Sequence, residues 1–421
     1  MSEPYDVIGI GIGPSNLSLA ALLEPRADCR ARFFERRPEF QWHPGLLLRG
    51  ATIQVSFIKD LVTLADPTSR FSFLAFLKDR GRLYRFLNAE FERVDRREFN
   101  EYLRWVCDRL DTLEFGREVD SVTLDDEFLV VHVGSERVRT RHLVLGVGTA
   151  PVIPECARPH LGRSVFHGSA YLQQRSAIDA NRVVVVGAGQ TGAEVVERLL
   201  GDADQHPSAF WWVSRRDNFL PLDESPFVNE LFTPAYTRYF AELPQTMREQ
   251  IVARQKLASD GISPRTLGRL IQRLYEMEFL DDDYAPCHLW PAHELRGMEA
   301  RNGGWALEVS DLVGDRVRRL EADVVVLCTG SDPSVPPIAS LMDRLSGGSG
   351  RLSFRNDYSV RWNRAPMNRV YLQNVDRKIW GIADPNMSLM AWRSALIANS
   401  IIGEDVYDTT DTAPLVHWGE R

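Results

Sequence analysis

Two near-continuous apolar runs, each broken by a glycine-rich turn and followed by a helical pattern, organise the chain. In the first, Tyr5-Asp6-Val7-Ile8-Gly9-Ile10 leads into Gly11-Ile12-Gly13-Pro14-Ser15-Asn16, the helix-forming Leu17-Ser18-Leu19-Ala20-Ala21-Leu22-Leu23 and the strand Ala31-Arg32-Phe33-Phe34-Glu35. In the second, Arg182-Val183-Val184-Val185-Val186 leads into Gly187-Ala188-Gly189-Gln190-Thr191-Gly192, a helix over 193–200 and the strand Phe210-Trp211-Trp212-Val213-Ser214-Arg215-Arg216. The pattern predicts a strand, turn, helix and strand unit twice over.

Between the copies, His142-Leu143-Val144-Leu145-Gly146-Val147-Gly148-Thr149 reads as a buried strand closing the first half, and 151–154 as a linker. A similar strand, Ala322 to Leu327 with Cys328-Thr329-Gly330 behind it, returns after the second copy, and Thr329 and Gly330 are counted among the cofactor-binding positions. From about Phe219 to Leu280 the spacing is amphipathic and charge-rich, which predicts helices beside the second turn. The fold class is therefore α/β: two Rossmann-like dinucleotide-binding domains, the second inserted in the first, plus a mostly helical substrate region. The expected boundaries are 1–160 with 324–421, 161–218 with 285–323, and 219–284 for the helices.

A glycine turn after a parallel strand lets backbone approach a pyrophosphate, and the next helix presents its first amides and positive dipole end to that anion. Gly11, Gly13 and Pro14 supply one such turn; Gly187, Gly189, Gln190 and Gly192 supply the other. Glu35 closes the strand after the first turn, where an acid accepts hydrogen bonds from ribose hydroxyls, as for the adenosine of FAD. The equivalent place after the second turn holds Ser214, Arg215 and Arg216, donors suited to the 2′-phosphate of NADPH. One departure stands out: Asn16 occupies the third-glycine position of the first turn, where bulk drives helix and strand apart unless its amide makes a specific contact.

Length and charge narrow the picture further. At 421 residues the chain exceeds one core and favours two or three domains, and 44% apolar residues suit a packed enzyme. A net charge of −8 argues against nucleic acid and anionic membrane as partners. The acidic start runs straight into a strand without a signal-peptide pattern, and no apolar run reaches spanning length, so a cytoplasmic location is expected. Cys29, Cys107, Cys156, Cys287 and Cys328 are scattered without a Cys-x-x-Cys pair; they read as small buried hydrophobes, with no metal site. A homo-oligomer, dimer or tetramer, is expected.

Motifs along nearly the whole chain carry a family resemblance. Gly13-Pro14-Ser15-Asn16-Leu17, Trp42-His43-Pro44-Gly45, Gln54-Val55-Ser56-Phe57-Ile58-Lys59-Asp60-Leu61, Asp66-Pro67-Thr68-Ser69, Phe232-Thr233-Pro234 and Ser388-Leu389-Met390-Ala391-Trp392-Arg393-Ser394 stand in the same order in the lysine N6-hydroxylase and ornithine N5-hydroxylase family of flavin monooxygenases. The chain resembles most the lysine and diamine hydroxylases of hydroxamate siderophore biosynthesis. The resemblance implies that NADPH reduces FAD, that oxygen adds as a C4a-hydroperoxide, and that a neutral amine attacks its distal oxygen. It places Gln54 at the reactive edge of the flavin, with Trp42, His43 and Pro44 packed against the ring system. Lys59 is expected to reach the substrate or the nicotinamide ribose, Asn229 to contact substrate, and Ser388 to lie near both flavin and substrate.

Two departures bear on the substrate. Ornithine-type enzymes have an asparagine where this chain reads Ser259-Asp260-Gly261, and the usual His-Gly is Trp380-Gly381 here. Ornithine is disfavoured, while lysine, cadaverine and putrescine stay open. A lysine site uses Lys59 and Asn229 as carboxylate donors, whereas a diamine site pairs its second ammonium with an acid or aromatic face, for which Asp260 and Trp380 are available. Other readings are a Baeyer–Villiger enzyme, a disulfide reductase, disfavoured by the missing cysteine pair, and a non-catalytic redox sensor.

Overall fold

The structure, a computed structural model, describes residues 3–174, 181–201, 207–281, 286–364, 367–410 and 415–419. The strand Tyr5–Ile10, buried from Val7 onward, lies inside a seven-stranded sheet. Ala31–Glu35 and the long strand Glu136–Leu145 flank it in parallel, with Ile10 against Phe34 and Leu145. Glu136–Leu145 pairs antiparallel with Leu129–Val133 through its first half, while Leu143 to Leu145 pair in parallel with the short strand Val370–Leu372. Helix Pro14–Leu23 is buried nearly throughout and packs on the C-terminal helix Met390–Ile402, so the first turn is clamped between sheet and helix.

The second sheet is wholly parallel, in the order Cys287–Trp290, Ala209–Val213, Arg182–Val186, Val324–Leu327, Val165–His167. Its inner strands are apolar on both faces, as a sheet covered by helices requires. This corrects the boundary set at 324. Val324–Leu327 pairs with Val183 to Val186 on one side and Val165 to His167 on the other, so it closes the second sheet; Val370–Leu372 completes the first. The boundary at 284–285 lies outside the described residues. A three-stranded antiparallel sheet, His293–Arg301, Gly304–Asp311 and Val317–Ala322, joins the second unit.

The chain leaves the first sheet through Thr149–Pro151 and returns through Ser331–Pro333, and these two crossings pair as an antiparallel ribbon. One unit is thereby inserted in the other. The α-helices between Phe219 and Leu280 are Pro226–Asn229, Pro234–Glu242, Gln245–Arg254, Lys256–Asp260 and Pro264–Phe279. Three begin at Ser-Pro or Thr-Pro, proline being suited to the first helical position. At two of them the hydroxyl also caps: Ser225 accepts from Val228 N and Thr233 from Tyr236 N. Among the described residues no helix is long and apolar enough to cross a membrane.

Candidate functional site

The first turn has the shape of an anion cradle. Gly11 takes φ +86°, and a Cβ there falls 2.5 Å from Gly146 O, whereas one at Gly13 meets Gly146 O only at 4.0 Å. Helix Pro14–Leu23 starts with no side-chain cap and no acid in its first turn, leaving its first amides for an anionic ligand. Glu35 Oε2 accepts from Ile12 N at 2.9 Å, which holds the acid beside the turn. Asn16 is fully buried and makes the contacts that excuse its bulk: Nδ2 donates to Ile10 O (3.1 Å) and Gly11 O (2.8 Å), and Oδ1 accepts from Gln373 Nε2 (2.8 Å). Gln373 in turn accepts from Arg393 Nε. Arg393 is buried against Asp384 and donates through Nη2 to Ser15 Oγ at 3.1 Å. Neither Gln373 nor Asp384 carried a sequence signal; Arg393 stood in a motif but without a role.

The second turn repeats the geometry with all three glycines. A Cβ at Gly187, φ +119°, lies 2.1 Å from Cys328 O, and one at Gly192 lies 2.1 Å from Gly187 O, so neither position admits a side chain; Gly189 is open for a ligand's approach. The Gln190 amide faces the helical region: Nε2 donates to Glu194 Oε1 (2.9 Å) and Oε1 accepts from Ser263 N (2.8 Å). Buried Ser214 accepts from Arg216 N at 3.0 Å. Arg216 Nη1 donates to Ala188 O (3.2 Å) and Asp260 O (2.8 Å), bracing the turn, while Arg215 is exposed beside Glu294 at 3.6 Å. The donors suit a phosphate, with Arg215 the exposed one. Thr329 and Gly330 lie at the crossing between the units, with Thr329 Oγ1 on Val152 O and Gly330 O accepting from Val152 N.

Two interactions join the units near these turns, and sequence reasoning missed both. Arg96 forms a two-pronged pair with Glu194 (2.7 and 2.8 Å), and a Cβ on Gly45 comes within 2.0 Å of Ser169 O. Gln54 and Gln190 line one cleft there, with Arg93 donating to Gln54 Oε1 at 3.4 Å. Trp42 packs edge-on to His43 at 5.1 Å and against Phe99 at 5.6 Å. His43 takes φ +46° and is exposed to solvent. Desolvation on the side that packs against the protein, with Arg96 and Arg37 adding to it, lowers its pKa.

Lys59 and Ser388 are 329 residues apart in sequence, and here Lys59 Nζ donates to Ser388 Oγ at 3.3 Å. The neighbouring acid cannot serve Lys59: buried Asp60 accepts from Val62 N, Thr63 N, Thr63 Oγ1 and Phe73 N. Among the described residues Lys59 meets no carboxylate, and burial lowers its pKa. Asn229 is exposed at the end of its short helix.

The two diamine features are already engaged. Asp260 accepts from Arg377 Nη1 on both oxygens (2.8 and 2.9 Å), so its carboxylate is neutralised within the protein. Trp380 is 5% exposed and stacked on Tyr358 at 4.2 Å, which places it in the core and closes its face to a ligand. Cys107 and Cys328 are buried, as expected, whereas Cys29, Cys156 and Cys287 are half-buried; burial raises the pKa of all five thiols, to about 11 at Cys29 and about 12 at Cys287.

Comparison with known proteins agrees with this geometry. Residues 3–333 match the model of the L-lysine 6-monooxygenase/L-ornithine 5-monooxygenase family. The chain is 34% identical to the L-lysine N6-monooxygenase of Escherichia coli, over 99% of both chains. Its fold is similar to the FAD-bound cadaverine monooxygenase of the desferrioxamine pathway of Erwinia amylovora, with TM-score 0.90, 30% identity and all of both chains covered. It is also similar to an ornithine N-hydroxylase of Kutzneria sp. 744 holding reduced FAD, NADP+ and L-ornithine, with TM-score 0.88, 28% identity and 95% and 99% of the two chains covered.

Proposed function

Because the chain belongs to the L-lysine 6-monooxygenase/L-ornithine 5-monooxygenase family and is thus an N-hydroxylating monooxygenase using FAD and NADPH, we propose that it hydroxylates the terminal amine of L-lysine for a hydroxamate siderophore pathway. The observation that carries the choice of lysine is Lys59, a half-buried ammonium whose partner is the Ser388 hydroxyl. A substrate carboxylate satisfies that charge; a second ammonium meets a like charge there and finds Asp260 already paired with Arg377.

FAD at the Gly11-x-Gly13 turn supplies oxygen activation and NADPH at the second turn supplies the hydride. The protein's own groups do the rest. Lys59 and Asn229 donate to the carboxylate, and Ser388 fixes the Lys59 ammonium. Gln54, held by Arg93, orients the flavin edge from the cleft it shares with Gln190. The attacking amine must be neutral, although an alkylammonium has a pKa near 10.4. Desolvation of the bound substrate at its reactive end would favour the neutral amine. The cytoplasm, where NADPH and free lysine are supplied, is the proposed location.

The likeness over its whole length to a cadaverine monooxygenase favours a second reading, the diamine, in which Arg377 releases Asp260 for the second ammonium. NADPH- and oxygen-dependent hydroxylamine formation from lysine, ornithine, cadaverine and putrescine at equal concentration separates the two. The lysine reading expects at least a tenfold preference for lysine, about 1.4 kcal/mol, that disappears in Lys59→Met. Preference for a diamine, retained in Lys59→Met but lost in Asp260→Asn, overturns it.

A further inference from the structure

The segment Ser259-Asp260-Gly261-Ile262-Ser263 is a junction between the two nucleotide units and the substrate side. Toward the first unit, Arg377 Nη1 donates to both Asp260 oxygens (2.8 and 2.9 Å) and to Ser259 Oγ at 3.3 Å. Toward the second turn, Asp260 O accepts from Arg216 Nη1 at 2.8 Å, and Ser263 N donates to Gln190 Oε1 at 2.8 Å. Toward the segment that leads to Asn229, Leu222 N donates to Ile262 O (2.7 Å) and Ile262 N to Leu220 O (3.0 Å). Gly261 lets these pieces close up: a Cβ there falls 2.3 Å from Leu222 Cα, so a side chain would part the two segments.

Asp260 is therefore held twice, its carboxylate by one unit and its carbonyl by the other. The two anchors differ in stiffness. Arg377 opens the helix Arg377–Trp380, a few residues beyond the strand Val370–Leu372 that completes the first sheet, and Trp380 at its end is stacked on Tyr358 in the core. Arg216 hangs instead on carbonyls: Nη1 reaches Asp260 O and Ala188 O, and among the described residues nothing engages Nε or Nη2. Those nitrogens keep their protons for a phosphate. Where Arg216 presents them depends on where Asp260 O lies, and Asp260 O moves with the side chain that Arg377 holds.

We propose that Asp260 and Arg377 are positioning residues for NADPH. Through their ion pair the first unit sets Arg216 against the 2′-phosphate, a step that rests on Ser214, Arg215 and Arg216 forming the 2′-phosphate site. Asp260 then serves flavin reduction and not the amine. A charge-assisted bond suits this task, being shorter and about twice as strong as a neutral one. Both carboxylate oxygens share one nitrogen, which fixes the direction of the Asp260 side chain.

The reductive step tests this without any amine. Flavin reduction by NADPH is followed anaerobically by stopped flow in the FAD-loaded full chain, and its dependence on NADPH concentration gives Kd. Circular dichroism and flavin content check folding. Loss of one hydrogen-bonded brace corresponds to about fivefold in binding, and Arg377→Met and Asp260→Ala are each expected to raise the NADPH Kd by that factor; either serves if the other fails to fold. The KM of the preferred amine, measured at saturating NADPH, stays within about twofold, and Arg377→Met combined with Arg216→Ala binds NADPH within about twofold of Arg216→Ala alone, because a residue that works through Arg216 has nothing left to lose. An unchanged NADPH Kd in Arg377→Met, or losses that multiply in the double variant, overturns the proposal. So does a raised amine KM at unchanged NADPH Kd, which assigns Asp260 to the substrate. If Arg215→Ala and Arg216→Ala both leave the NADPH Kd unchanged, the 2′-phosphate site falls and takes the proposal with it; if Arg216→Ala weakens NADPH and Arg377→Met does not, the proposal falls alone.

Discussion

Replacing Asn16 by glycine restores the usual third glycine of a dinucleotide turn, and on sequence grounds it should be harmless. The structure predicts the opposite. Asn16 Nδ2 donates to buried Ile10 O and part-buried Gly11 O, and Oδ1 accepts from buried Gln373 Nε2. In Asn16→Gly, Ile10 O keeps its bond from Gly146 N, but Gly11 O and Gln373 Nε2 lose their partners. A buried polar atom left unsatisfied costs about 1–3 kcal/mol, and glycine inside a helix adds about 0.5–1 kcal/mol. A water filling the vacated polar space returns part of this. The expected loss is about 2–4 kcal/mol of stability in the apoprotein, read by urea unfolding, together with weaker FAD binding, read by flavin fluorescence, because the turn carrying the Gly11 carbonyl loosens. NADPH binding, at the other turn, should stay within about twofold. An Asn16→Gly apoprotein as stable as wild type, with FAD affinity intact, would show that the amide is a tolerated passenger.

Three further perturbations follow from the same geometry. Arg215→Ala should raise the NADPH KM about tenfold and leave that for NADH unchanged, because this exposed arginine offers a charge-assisted contact of about 1.5 kcal/mol to the 2′-phosphate. Arg216→Ala should raise both constants, since Arg216 braces Ala188 O and Asp260 O; equal effects of the two substitutions would count against this division. Glu194→Ala strands the Arg96 guanidinium between the units and should cost about 3 kcal/mol in urea unfolding, with a higher NADPH KM because Gln190 loses the shorter of its two acceptors; an unchanged unfolding midpoint would refute it. Burial, with Arg369 nearby, pushes the pKa of His142 from its ordinary 6.5 down to about 4, while its Nδ1 accepts from Arg369 N. The unfolded chain therefore binds a proton that the folded one refuses, and stability falls as pH drops from about 6.5 to 4. His142→Gln should flatten the fall of Tm over that range; curves parallel to wild type would remove His142 from the account.

Local chemistry was enough to read the two nucleotide turns. A φ near +90° at Gly11 and the backbone approaches at Gly187 and Gly192 can be met only by glycine, so the residues that build a turn are written in consecutive letters. The same holds for the family motifs, whose order identifies the chemistry. Pairing in the sheets was not legible in this way. Val324–Leu327 and His142–Leu145 are similar apolar runs, and only the register against Val165 and Val183 decides which sheet each one closes.

The site was divided along the same line. Lys59, Ser388 and Gln54 were legible as types in motifs, but the 3.3 Å contact between Lys59 and Ser388 spans most of the chain. Asp260 and Trp380 looked like substrate contacts because sequence shows a charge or a ring without its partner. Folding brings Arg377 onto one and Tyr358 onto the other. The Arg96–Glu194 pair and the relay from Asn16 through Gln373 to Arg393 and Asp384 left no pattern at all, because their members sit on elements far apart in the chain. The sequence by itself determined the form of the two glycine turns, since that depends on residues a few positions apart. Which charges remain for a substrate was decided only by the tertiary structure, since an ionisable group is available or spent according to the neighbour that packing sets beside it.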